Sequence, residues 1–150
     1  MKQLISSLLE IDLSGLLPEM GTFLTWLKVA VVFAMLIGPM IMLICGILYL
    51  YKPAPQATYK RGYRTTYAMG STEAWRYTQR LAGYLWMITG GVLGVVSLVA
   101  ALITLFQAPM ALVVAAVVVL LIQFVIVVAV TIYIAAAVRK HYDMDGNRRK

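Results

Sequence analysis

Charged side chains are scarce in this chain, and the scarcity is concentrated. No Asp, Glu, Lys, Arg or His occurs from Val29 to Leu50, from Leu81 to Phe106, or from Met110 to Val138. A proton- or ion-coupled carrier ordinarily keeps an ionisable group at membrane depth, so these runs argue against such a transporter, the small multidrug-type exporters included. Histidine occurs once, at His141, so one chain cannot assemble a bis-histidine haem inside a bundle. The single cysteine, Cys45, excludes an intrachain disulfide and a CxxC metal site, and within an apolar run it reads as an inert thiol. Asp143 and Asp145 beside His141 make at best a weak metal site. The chain shows no nucleophile with a paired base, no phosphate loop and no carboxylate pair. An enzyme is therefore not expected, nor is a cofactor.

What the chain does have is apolar residues, 62% of the total against 13% charged, where soluble proteins run at about 45–50% and about 25%. The three uncharged runs each exceed the roughly 20 residues that a helix needs to cross a bilayer. The expected fold is thus an all-α membrane protein with three transmembrane helices, one kinked helix followed by an antiparallel helical hairpin. The boundaries read as an N-terminal segment 1–22, spans at 23–51, 81–106 and 110–138, a basic loop at 52–80 and a basic tail at 139–150. Glu10, Asp12 and Glu19 interrupt the N-terminal segment, so it does not read as a cleaved signal peptide. Leu4, Ile5, Leu8, Leu9, Ile11, Leu13 and Leu16 recur there at roughly helical spacing. A short amphipathic helix lying in the interface and a loosely ordered tail both fit that pattern.

Charge sets the expected orientation. Lys52, Lys60, Arg61, Arg64, Arg76 and Arg80 lie between the first two spans, and Arg139, Lys140, Arg148, Arg149 and Lys150 follow the third. The connection Gln107-Ala108-Pro109 carries no charge. The positive-inside bias then places both basic segments in the cytoplasm, with the N-terminus out and the C-terminus in. A multi-pass protein of a bacterial inner membrane is expected. The net charge of +7 is explained by topology and by attraction to anionic lipid, so nucleic acid is not an expected partner.

Within the spans, Gly38-Pro39 falls near the middle of the first, where the proline ring removes one helical hydrogen bond and predicts a kink near Leu36. Gly90 and Gly94 form a GxxxG step on the second, which allows close backbone approach. Its partner is either helix three, through Ala111, Ala115 or Ala129, or a second copy of the chain in a homo-oligomer, with packing inside one chain favoured. Gln123 lies mid-span in the third. An unpaired amide there would be costly, so it is expected to face the bundle and bond a carbonyl or hydroxyl.

The only segment with specific content is the basic loop. Gly62 permits a turn with positive φ, Ser71 and Thr72 can cap a helix that Glu73 favours at its first turn, and that helix should run through Trp75 and Gln79 into the second span. Trp75 is expected at the inner headgroup layer, with Arg76 and Arg80 near phosphates. Tyr63 and Trp75 read as aromatic anchors. Arg64 is a planar donor suited to a carbonyl, a lipid phosphate or a partner's carboxylate; equally, Arg64 and Thr65 can serve only to fasten the loop to the helix ends.

Gly62-Tyr63-Arg64-Thr65, then Met69, Ser71, Trp75 and Arg80 ahead of a hydrophobic helix, resemble the signature of the SdpI family of bacterial membrane immunity proteins. The resemblance covers roughly residues 59–98. Family members commonly carry Asn where this chain has Thr58, and an Ala-Asn-Arg step where it has Thr78-Gln79-Arg80. The resemblance implies protection against a secreted toxic peptide, and signalling by holding a transcriptional repressor at the membrane. The expected partners are then the lipid bilayer, a toxin peptide and a cytoplasmic repressor. The competing reading, from a different class, is an accessory subunit of a larger membrane complex that docks through the GxxxG face.

Overall fold

The computed structural model describes residues 13–55 and 62–149. Three helices make up most of it: α1 (Leu13–Tyr51), α2 (Thr72–Leu105) and α3 (Pro109–His141), with one 3-10 turn, Tyr67–Met69, in the connection from α1 to α2. The first twelve residues, and with them most of the amphipathic N-terminal pattern, lie outside the described residues. Residues 13–22 run without a break into α1.

Each helix carries a segment long and apolar enough to span a bilayer, at Met20–Tyr51, Thr72–Leu105 and Met110–His141. The segments have 32, 34 and 32 residues. At a rise of about 1.5 Å per residue, each is close to ~50 Å long against a hydrocarbon core of ~30 Å, so all three reach through the headgroup layers. Large apolar side chains cover the outside: Phe33 is 71% exposed and Phe124 68%. In water such a surface would associate, whereas lipid solvates it. The protein is an all-helical, multi-pass membrane protein.

The connection between α2 and α3 is short. Ala108 is extended, as the residue before a proline is constrained to be, and Pro109 opens α3 where its missing N–H costs nothing. At the same end of the bundle, Lys28 on α1 donates from Nζ to the carbonyl of Leu105 at 3.1 Å, supplying a donor and a positive charge to the open C-terminus of α2.

Packing is tightest between α1 and α2. A methyl group on Gly46 would stand 2.6 Å from the amide nitrogen of Met87, and one on Gly90 would stand 2.9 Å from that of Leu43. The two backbones therefore touch, and only glycine allows it. Gly94 lies further off, with Pro39 Cβ 3.7 Å from where its own Cβ would be. The small face of α2 thus meets α1 in the same chain.

Mid-bundle, one polar side chain joins all three helices. The backbone of α1 passes through Pro39, which has no N–H to offer the carbonyl four residues earlier, that of Met35. Gln123 on α3 donates from Nε2 to this carbonyl at 2.9 Å and to Ser97 Oγ on α2 at 2.8 Å. Ser97 in turn donates to Leu93 O at 2.7 Å. All of these groups are buried, where an unpaired amide or carbonyl would cost several kcal/mol (~2–7). Met35, Ala101, Leu112 and Ala116 form the apolar cluster toward the α2–α3 connection. A second cluster, around Trp75, Ala82, Ile134, Val138 and Tyr142, lies toward the opposite end.

Candidate functional site

The end of the bundle that carries Tyr51, Thr72 and His141 also gathers the motif residues. Ser71 caps α2, its Oγ accepting from the amide of Ala74 at 3.1 Å, and Glu73 sits in the first turn. This orientation points Trp75 and Gln79, four residues apart on one face, at the loop that leaves α1.

Trp75 is fully buried. Its indole N–H donates to Ala54 O at 2.8 Å, and its ring forms the floor beneath Gly62. Gly62 adopts φ 109°, and a Cβ there would fall 2.5 Å from the Trp75 ring, so both the conformation and the contact require glycine. Trp75 therefore does not insert into the headgroup layer as its sequence context suggests. The reason is that a buried indole gains a hydrogen bond and a large packing area when the loop folds over it.

Gln79, also fully buried, holds the next residue by both backbone groups. Tyr63 N donates to Gln79 Oε1 at 3.0 Å, while Gln79 Nε2 donates to Tyr63 O at 2.9 Å. The amide thus pairs with Tyr63 as a neighbouring strand would. The Tyr63 hydroxyl donates to Thr131 O on α3 at 3.3 Å, and its ring meets Trp86 edge-on at 6.1 Å. Tyr49 approaches Trp86 likewise from α1, at 6.3 Å. Thr65 closes the turn, with Oγ1 accepting from the amide of Ala68 at 3.2 Å and its carbonyl accepting from Ala68 and Met69.

Arg64 stands apart from this network. It is exposed, and no hydrogen bond or ion pair among the described residues involves it. Arg80, the last motif residue, is likewise exposed on α2.

The C-terminal tail completes the site, and nothing in the motif points to it. After α3, Tyr142 and Arg148 pair as an antiparallel bridge. The turn between them is held by Asp143 Oδ1, which accepts from the amide of Asn147 at 2.7 Å, and by Gly146 at φ 78°. This hairpin lies on the start of α2. Ser71 Oγ donates to Gly146 O at 2.8 Å, and Cβ atoms on Gly70 or Gly146 would strike the other's backbone. Tyr142 is buried and donates its hydroxyl to Glu73 Oε1 at 3.3 Å. Burial, and secondly the Glu73 carboxylate, hold the Tyr142 phenol above its ordinary pKa of 10.0. The sequence signal for the turn is Asp145-Gly146.

Among the described residues, no group of three or more His, Cys, Asp or Glu is placed to hold a metal ion. What the site offers chemically is a segment from Gly62 to Ser71 and a tail, both tied by hydrogen bonds and bearing exposed guanidinium groups. Gly62, Tyr63, Thr65 and Trp75 come together; Arg64 and Arg80 do not join them. Gly90, Gly94 and Gln123 lie deeper, in the packing already described.

A family model matches residues 58–136, from the loop through α2 and nearly all of α3; it is that of the SdpI/YfhL protein family. No curated protein and no solved structure matches the chain.

Proposed function

Because the chain belongs to the SdpI/YfhL protein family, we propose that it acts by binding, as a bacterial inner-membrane protein that protects the cell from a secreted membrane-active peptide. The proposed orientation has the N-terminus outside and the C-terminus in the cytoplasm. It is supported by the gathering of Lys52, Arg64, Arg76, Arg80, Arg139, Lys140, Arg148 and Arg149 at one end of the bundle, while among the described residues the other end carries Lys28, which is itself occupied as a helix cap.

The observation that carries the reading is the contrast within the motif. Gly62, Tyr63, Thr65, Trp75 and Gln79 spend their polar groups and packing surfaces inside the protein, whereas Arg64 is exposed and has no partner among the described residues. Because the backbone at Tyr63 is already tied down by Gln79, docking through Arg64 costs the rotamer freedom of that side chain and little further backbone entropy. Arg64 is suited to the carboxylate or carbonyl of a cytoplasmic protein partner such as a repressor. The toxin peptide would meet the apolar helix faces and the outer connection near Phe106 to Met110. The rival reading, an accessory subunit docking through Gly90 and Gly94, has less surface to use, because the backbone of α1 packs directly on Gly90. Expression in a bacterium killed by a secreted membrane-active peptide tests the proposal: survival should rise, and unchanged killing at verified membrane levels would refute it.

A further inference from the structure

Beside the motif loop, on the side of α3, lies a groove of about 480 Å³. One wall is the loop, with Thr65, Thr66 and Tyr67; the other is a stripe on α3, with Ile132, Ala136 and Arg139. Polarity changes along its length. Ile132 and Ala136 are apolar and lie on the membrane side, while Arg139 and the threonines lie at the end where the span meets the headgroups.

The polar end is rich in unused donors. Arg139 is exposed and bonds nothing among the described residues. Thr66, at the cap of the 3-10 turn, makes no side-chain capping bond, and Thr65 Oγ1 is engaged only as an acceptor, which leaves its hydroxyl proton available. Arg139, Thr65 and Thr66 line one space with no carboxylate among its lining residues, and a guanidinium with two hydroxyl donors complements a phosphate oxyanion. The apolar wall just below complements an acyl chain.

We propose that this groove is a binding site for one anionic phospholipid, its phosphate on Arg139, Thr66 and Thr65 and its chain along Ile132 and Ala136. The bound lipid joins the motif loop to α3, next to the Tyr63–Thr131 contact. The inference is independent of the protective role proposed above.

The full chain, purified in a non-ionic detergent, is titrated with dihexanoyl phosphatidylglycerol, with dihexanoyl phosphatidylcholine and with inorganic phosphate, and bound lipid is counted by native mass spectrometry. Phosphatidylglycerol should bind at one site and phosphatidylcholine more weakly, while inorganic phosphate should not compete at equal concentration. Arg139→Gln should weaken phosphatidylglycerol about fivefold, the worth of one basic group near a lipid headgroup. Thr66→Val should weaken it to a smaller extent, and Arg76→Gln, which removes the same charge outside the groove, should not weaken it. Equal loss in Arg76→Gln and Arg139→Gln would reduce the effect to diffuse attraction and overturn the proposal. So would equal binding of the two lipids, and effective competition by inorganic phosphate would reassign the site to a free anion.

Discussion

Gln123 donates to the carbonyl of Met35 across the bundle, the acceptor that Pro39 leaves without its helical donor. A hydrogen bond missing from α1 is thereby made good by a side chain from α3, and Ser97 draws α2 into the same junction. Gln123→Leu should lower stability by about 1–2 kcal/mol. In a Pro39→Ala background, where residue 39 regains an N–H directed at Met35, the cost of the same change should fall to about half. Unfolding of the four proteins in one detergent measures the coupling, and strict additivity would show that the two residues act separately.

The α1–α2 contact should discriminate between neighbouring glycines. Gly90→Ala forces a methyl against the backbone of Leu43 and should cost about 1–3 kcal/mol. Gly94→Ala, whose methyl would make an ordinary 3.7 Å contact, should be close to neutral. Thermal denaturation of both variants checks the difference.

Gln79→Ala removes both partners of the Tyr63 backbone and should release the loop. Cleavage by trypsin after Arg64, followed by mass spectrometry, should quicken about tenfold for a loss of roughly 1–2 kcal/mol. Gln79→Asn, one methylene shorter, should restore protection only in part.

Docking of the tail should respond to alkali. The Tyr142 phenol has its pKa raised in the folded protein, so the stability it contributes is present below about 10.0 and declines as pH rises through the folded value. Amide exchange in the hairpin from Tyr142 to Arg148 should stay constant from pH 7 to 9, once corrected for intrinsic rates, and then increase above pH ~10. Tyr142→Phe should abolish that alkaline step.

The three spans were legible from uninterrupted apolar length alone, because a bilayer leaves a helix few alternatives. Gln123 was legible for a related reason: an amide at membrane depth must find a partner, although its identity as the carbonyl freed by Pro39 depends on two helices meeting at one level. The partner of Gly90 was not legible. A glycine face announces close approach, and α3, being next in sequence, was the natural candidate; the choice of α1 is settled by Gly46 and Pro39 on the facing helix, which no local pattern couples to Gly90. Trp75 misled because tryptophan beside arginine at a span end commonly marks an interface, and only the fold of the loop reveals the carbonyl of Ala54 above it. In sequence the tail reads as topogenic charge and, at His141, Asp143 and Asp145, as at best a weak metal site. Its Asp145-Gly146 turn is a local signal, but the docking on Gly70 and Ser71 is a contact between the two ends of the helical hairpin.

The account turns on Arg64 being presented by the loop and not used to hold it. The most direct test is survival of peptide-challenged cells carrying Arg64→Ala or the charge-matched control Arg76→Ala, at equal membrane levels and with an unaltered proteolytic pattern elsewhere. Loss of protection in Arg64→Ala with protection kept in Arg76→Ala is the predicted result, and full protection by Arg64→Ala would contradict it.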